Sequence, residues 1–203
     1  MNDFTILFIL LLLLRGLVTF WLSKRQQRHV AASREFVPQD FADRVSPAEH
    51  RKAADYTIAR TRFGRIENGV ALLLLLIWTL GGALELVNGF WNRFDWPQIA
   101  TGALVIGTVL LLSALIDIPA ALYRTFVIEA RFGFNNSTMA TFWTDRVKGV
   151  LLITLLGVPL LLLILWLMQK AGGWWWLYAW AVLSLFTVVV SWAFPKFIAP
   201  LFN

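Results

Sequence analysis

The sequence predicts an all-α, polytopic integral-membrane helical bundle of about five transmembrane helices, with the N-terminus outside and the C-terminus inside. Three observations carry this. Of 203 residues, 59% are hydrophobic and only 15% charged, whereas soluble domains average about 25% charged. The apolar residues gather in five runs, each suited to cross ~30 Å of hydrocarbon as a helix. Lys and Arg are unevenly shared among the segments between those runs, which sets orientation.

The first run, 4–22, is apolar apart from Arg15 and a few small polar residues. Positive charge follows it rather than precedes it, and no small-residue cleavage site is evident, so it reads as an uncleaved first span. Segment 23–65 is the longest polar stretch, with ten Lys/Arg against five Asp/Glu, and Pro38 and Pro47 interrupt it. Within it, 47–64 reads as a capped helix with Ser46 at the N-cap and Pro47 at the first position. The second run, 67–90, carries Glu85 near its far end, and Trp91 to Pro97 form an aromatic turn of interfacial type. The third run, 98–118, closes on Asp117 and Pro119.

Segment 119–148 is a polar island in which aromatics alternate with charges through Tyr123, Arg124, Phe126, Glu129, Arg131, Phe132 and Phe134. Gly133 and the Asn135, Asn136, Ser137, Thr138 cluster supply turn and helix-cap chemistry. Amphipathic material of this kind lies against a membrane face or docks a partner domain. The fourth run, 149–168, a tight turn at 169–173 and the fifth run, 174–194, complete the spans, and 195–203 follow. No separate water-soluble core is expected.

Segment 23–65 holds ten basic residues and 119–148 four, while each of the two short turns holds one. The positive-inside rule therefore makes both larger segments cytoplasmic. Trp174, Trp175 and Trp176 then fall at the outer interface as an aromatic belt. The expected setting is a bacterial inner membrane, with the C-terminus cytoplasmic.

Little in the chain carries chemistry. The formal net charge of +6 lies mostly between the apolar runs as topology information, not as a nucleic-acid patch. With no Cys there is no thiolate ligand or nucleophile. His29 and His50 share one basic loop without a partner at zinc-ligand spacing, and a metal site needs three or four convergent ligands. There is no H-E-x-x-H, no G-x-S-x-G and no phosphate-cradling glycine loop. Ionisable residues inside spans are costly unless paired or interfacial. Glu67, Glu85 and Asp117 either sit at headgroup level or line a polar chamber. Arg15 lies deeper and is expected to face other helices or a water-filled cavity. The many Trp and Phe read as belt and packing residues rather than a prenyl pocket. Gly81 with Gly82, Ala103 with Gly107, and Gly157 with Pro159 are candidate close-packing or kink points.

Three stretches resemble the membrane-embedded N-terminal region of the CAAX prenyl endopeptidase family, the type I zinc metallopeptidases. Glu129-Ala-Arg-Phe-Gly-Phe-Asn-Asn-Ser-Thr138 matches an E-x-K/R-x-G-F-N-x-x-T run, followed by Phe142-Trp-Thr-Asp145 and Lys148. Ile198-Ala-Pro-Leu-Phe-Asn203 matches I-A-P-L-F-N/D, and Tyr56 to Phe63 matches Y-x-x-A-x-x-R-F. These motifs stand in the family's order around five spans.

The resemblance implies an intact enzyme in which zinc polarises the scissile carbonyl and activates a water, while a glutamate shuttles its proton. The family's two zinc histidines, that glutamate and the third ligand all lie beyond the I-A-P-L-F run. No catalytic or metal-binding residue carries over, and no cofactor is expected in this chain, with zinc belonging to the intact protein. The chain is therefore expected to be the amino-terminal half of such an enzyme, inactive alone. Its partners would be the lipid bilayer, the C-terminal metallopeptidase domain and, in the intact enzyme, a peptide or membrane-protein substrate, with no nucleic acid. Glu129, Arg131, Asn135 and Asn136 are the candidate docking residues, and Arg15 and Asp117 candidate chamber-lining ones. The alternatives are a non-catalytic membrane scaffold or binding partner, and a small transporter or lipid-binding bundle. The lack of paired charges at mid-membrane depth weighs against the last.

Overall fold

The computed structural model describes residues 2–38 and 43–202, and among these there are helices and short connections but no strand. Residues 39–42 of the expected cytoplasmic segment and Asn203 of the final motif lie outside the described residues.

Helix α1 spans Asp3–Ala32 and begins where the Asn2 side chain accepts from the Thr5 amide. Helix α2 spans Pro47–Thr79, opened by a capping box. Ser46 Oγ accepts from the Glu49 amide, and the Glu49 carboxylate accepts from the Ser46 amide, so two orphan donors are satisfied at once. The helix does not end at Gly64 as expected. It runs unbroken from polar segment into membrane run, because a helical glycine costs only about 1 kcal/mol and apolar residues propagate the helix beyond it. It stops at the Gly81, Gly82 pair, where Gly82 takes φ +77° at no side-chain cost. Helix α3, Ala83–Trp91, leaves at a 51° bend. The second apolar run is thus a broken pair of helices rather than one straight rod.

Helix α4, Gln98–Tyr123, passes through Pro119 instead of ending near it, and continues as a π-helical segment at Arg124–Glu129. Loss of the Pro119 amide and crowding of its ring are tolerated in a membrane helix. Helix α5, Met139–Leu152, joins α6, Val158–Lys170, through a π-helical segment at Ile153–Gly157 that ends just before Pro159. Helix α7, Trp175–Ala193, runs on through Phe194–Ile198 and Ala199–Leu201. Among the described residues four helices are long and apolar enough to cross a membrane, and five if the bent α2–α3 pair counts as one.

Burial is inverted relative to a water-soluble fold. Few apolar side chains are buried, Leu12, Ala121 and Ile128 among them, while Leu10, Leu11, Leu13, Leu14 and Leu17 of α1 are all more than half exposed. A helix apolar all round with so little protein against it has lipid as its solvent. The chain divides into two compact units, residues 1–83 with 113–135, and residues 84–112 with 136–203.

In the first unit α1 lies along α2. A Cβ on Gly16 would stand 3.1 Å from Leu72 Cδ1, the near approach that small residues allow between membrane helices. Trp78 Nε1 donates to Ser113 Oγ at 3.2 Å. In the second unit Trp91 Nε1 donates to Thr108 Oγ1 at 2.9 Å, and Gln169 Nε2 to Gln98 Oε1 at 3.2 Å. The close helix approach there is Gly102 to Leu165, whereas a Cβ on Gly107 would meet nothing within 4 Å.

Candidate functional site

The polar island is mostly helix. Its first part prolongs α4, then closes at Gly133, φ +73°. The Phe134 amide reaches back to the Glu129 carbonyl at 2.9 Å and the Gly133 amide to that of Ala130 at 3.1 Å. These two bonds form a Schellman cap, which needs a left-handed residue where glycine sits. After a short connection, Thr138 caps α5 by accepting from the Thr141 amide at 3.1 Å.

In the first unit that cap is pressed against the polar end of α2. The Tyr56 ring lies 4.7 Å from Phe134 and 5.6 Å, edge-on, from Phe132. Seven residues on, Phe63 lies 4.8 Å from Tyr123. Positions 56 and 63 share one helix face, so two of the three stretches singled out in the sequence meet as an aromatic seam. Lys52 Nζ stands over the Phe134 ring at 5.4 Å. Beside the seam runs a groove of about 680 Å³, lined among others by Asp55, Arg62, Phe63, Tyr123, Arg131 and Phe132.

Charge at this seam is organised around Asp55. Arg34 holds it with both forks, Nε to Oδ1 at 2.7 Å and Nη2 to Oδ2 at 2.8 Å, and Arg34 also pairs with Glu35, which Arg51 meets at 3.3 Å. The hydrogen bond from Arg34 holds the Asp55 carboxyl below the usual carboxylate range. Desolvation opposes this, and the charges of Arg34, Arg131 and Arg51 add to it. The same bond pushes Arg34 further above its ordinary value. His50 Nε2 donates to the Ser33 carbonyl at 2.9 Å, tying the end of α1 to α2. Toward the membrane run, Arg124 Nη1 meets Glu67 Oε1 at 3.2 Å.

The sequence-predicted residues separate. Arg131 lines the groove, with its charge felt at Asp55. Glu129 is half-buried and contributes its carbonyl to the cap. Asn135 belongs to the same unit, but Asn136 belongs to the other, so the four do not form a single described cluster. Asp117 is exposed beside Glu67 and Ser113 in a second groove of about 440 Å³, and Arg15 lies in a cleft between α1 and α2. Sequence reasoning passed over Arg34, Lys52 and Asp55. Tyr56 and Phe63, spaced seven apart, were the available signal for the face that they flank.

In the second unit Lys148 Nζ donates to the Leu201 carbonyl at 2.6 Å and stands 3.6 Å from Asp145 Oδ1. The Asp145–Lys148 stretch therefore seats the C-terminal motif.

Among the described residues no three His, Asp or Glu side chains gather as metal ligands. With His50 committed to a backbone carbonyl, the described residues do not offer a donor set that fits zinc.

The family described as CAAX prenyl protease N-terminal, five membrane helices, matches residues 26–203. The CAAX prenyl protease 1 homolog of Oryza sativa subsp. japonica is 29% identical over 185 residues, covering 87% of this chain and 43% of that protein. CAAX prenyl protease 1 of Saccharomyces cerevisiae is 27% identical, covering 90% and 42%, and the Homo sapiens homolog 27%, covering 88% and 39%. The crystal structure of S. mikatae Ste24p superposes with a TM-score of 0.86 at 22% identity, over all of this chain and 48% of that one, a likeness of fold. The chain spans less than half the length of these curated relatives.

Proposed function

We propose, from the premise that this chain belongs to the CAAX prenyl protease family through its N-terminal five-helix membrane region, that it is the membrane wall of a zinc-dependent endopeptidase. In this reading the helices bound a chamber that admits an extended peptide. The groove beside the aromatic seam docks the metallopeptidase domain that supplies zinc and hydrolysis. One observation carries the reading: residues 56–63 and 123–134, far apart in sequence, build a single charged, aromatic-edged groove outside the apolar runs.

The same contacts support both larger polar segments lying on one side of the membrane. Tyr56 touches Phe132 and Phe134, which favours an even number of crossings between them and so supports reading the bent α2–α3 pair as a span. Positive-inside placement then makes that side cytoplasmic. The chain has no native Cys, so single cysteines report cleanly. Gln26→Cys and Met139→Cys should label from the cytoplasmic side and Asn92→Cys from the other. Labelling of the first two from opposite sides refutes the arrangement.

Docking is tested by co-expressing the chain with the C-terminal portion of a CAAX prenyl protease 1. The two should co-purify and together cleave a farnesylated CAAX peptide in a chelator-sensitive manner. Charge reversal of Glu129 and Arg131 should lose both properties. Co-purification that survives the reversal removes those residues from the docking face, and association without hydrolysis favours the non-catalytic scaffold.

A further inference from the structure

We infer that the seam between α1 and α2 is a binding site for the phosphate headgroup of an anionic phospholipid. A cleft of about 240 Å³ opens there, lined by Arg15, Thr19 and Phe20 of α1 and Arg65, Asn68 and Gly69 of α2, among others. Its lining includes two guanidinium groups, a hydroxyl and a carboxamide but no carboxylate. Neither arginine makes an ion pair among the described residues, and Arg65 spends one donor on Gln27 Oε1 at 2.7 Å. An uncompensated guanidinium in an apolar run needs a counter-charge or water, and planar N–H donors match phosphate oxygens.

The neighbouring residues set the depth. Lys24 stands 5.5 Å over Phe20 and Arg25 5.6 Å over Trp21, aromatic–cation pairs that belong at headgroup level. Arg15 lies about one and a half to two and a half helical turns deeper, about 8–14 Å at 1.5 Å per residue, and lines the same cleft as Thr19, Phe20 and Arg65. Gly69 leaves the cleft open, since a Cβ there would meet nothing within 4 Å. The phosphate would thus sit between the two arginines in the leaflet adjoining segment 23–65, with the acyl chains along the exposed leucines of α1. Arg15, Thr19 and Phe20 precede the residues matched to the family, so the site does not rest on the proposed peptidase role.

The test uses the full chain reconstituted in nanodiscs of phosphatidylcholine with one-tenth phosphatidylglycerol, with retained lipid read by native mass spectrometry. Phosphatidylglycerol should be enriched over phosphatidylcholine. At the usual contribution of a basic residue at a membrane surface, Arg15→Gln should lower the enrichment about fivefold, and Arg15→Gln with Arg65→Gln about 30-fold. Gly69→Leu keeps both charges but fills the cleft, and should lose the lipid as fully as the double variant, while Arg93→Gln should change nothing. Equal retention of the two lipids overturns the inference, as does wild-type enrichment in Gly69→Leu. Displacement of the lipid by millimolar inorganic phosphate would mean a free-anion site and likewise overturns it. Should Arg15→Gln lose helix content by circular dichroism, Gly69→Leu decides alone.

Discussion

The two ends of the polar island are held by different physics. Up to Asn135 it is fixed in the first unit by rings and charges: Tyr56 on Phe132 and Phe134, Lys52 over Phe134, and Arg124 on Glu67. From Asn136 onward, in the second unit, a lysine grips a backbone carbonyl, Lys148 to Leu201, from the helix that Thr138 caps. Aromatic contact gains from leaving water and tolerates shape change poorly. A charge-assisted hydrogen bond depends on one donor. The first arrangement suits a surface that must keep its form, and the second a short stretch of backbone held at one point.

That contrast can be broken from either side. Tyr56→Ala removes a half-buried ring from two partners and should cost about 2–3 kcal/mol in reversible unfolding from mixed micelles, while leaving the second unit's exposure to protease unchanged. Loss of both units together would show them to be one cooperative body. Lys148→Met should cost about 1.5 kcal/mol and raise proteolysis at 195–202 without altering fluorescence changes that report on the Tyr56 seam. Gly133→Ala puts a side chain at φ +73°, 3.4 Å from Lys52 Nζ, and should cost about 1 kcal/mol by the same unfolding measurement. Ser46→Ala should cost about 0.7 kcal/mol and fray the first turn of α2 in amide exchange.

The smallest effect is the acid limb. Asp55 has a depressed folded-state pKa, so its contribution is complete above the unfolded value of about 3.9 and disappears as pH falls through the lower, folded one. Stability should therefore be flat above about pH 5 and fall below about pH 4. Asp55→Asn should remove that part of the fall, and an unchanged acid limb would show that the Arg34 pair does not stabilise the seam.

Much of this was legible in the residues. Apolar runs gave the membrane helices, Ser46 and Pro47 the start of α2, Gly133 a break, and the Gly81, Gly82 pair a kink. What escaped was continuity and convergence. Gly64, Pro119 and the charged residues after them looked like helix ends, but the flanking residues propagate α2 and α4 straight through. The Asp55 cluster escaped because Arg34 lies in the turn just after α1 and Asp55 twenty-one residues on, inside α2, a spacing that no local pattern marks. Asn135 and Asn136 looked like one patch because sequence adjacency hides the boundary between two compact units.

The unbroken run of α2 has a mechanical meaning. Thirty-three residues make a rod of about 50 Å, bearing the Tyr56 ring near one end and Leu72 against Gly16 toward the other. A tilt of about 5° at one end swings the other by roughly 4 Å over that length. A displacement at Tyr56 would therefore be carried along α2 to its approach to Gly16, and the glycine pair beyond Leu80 is where the straight rod ends.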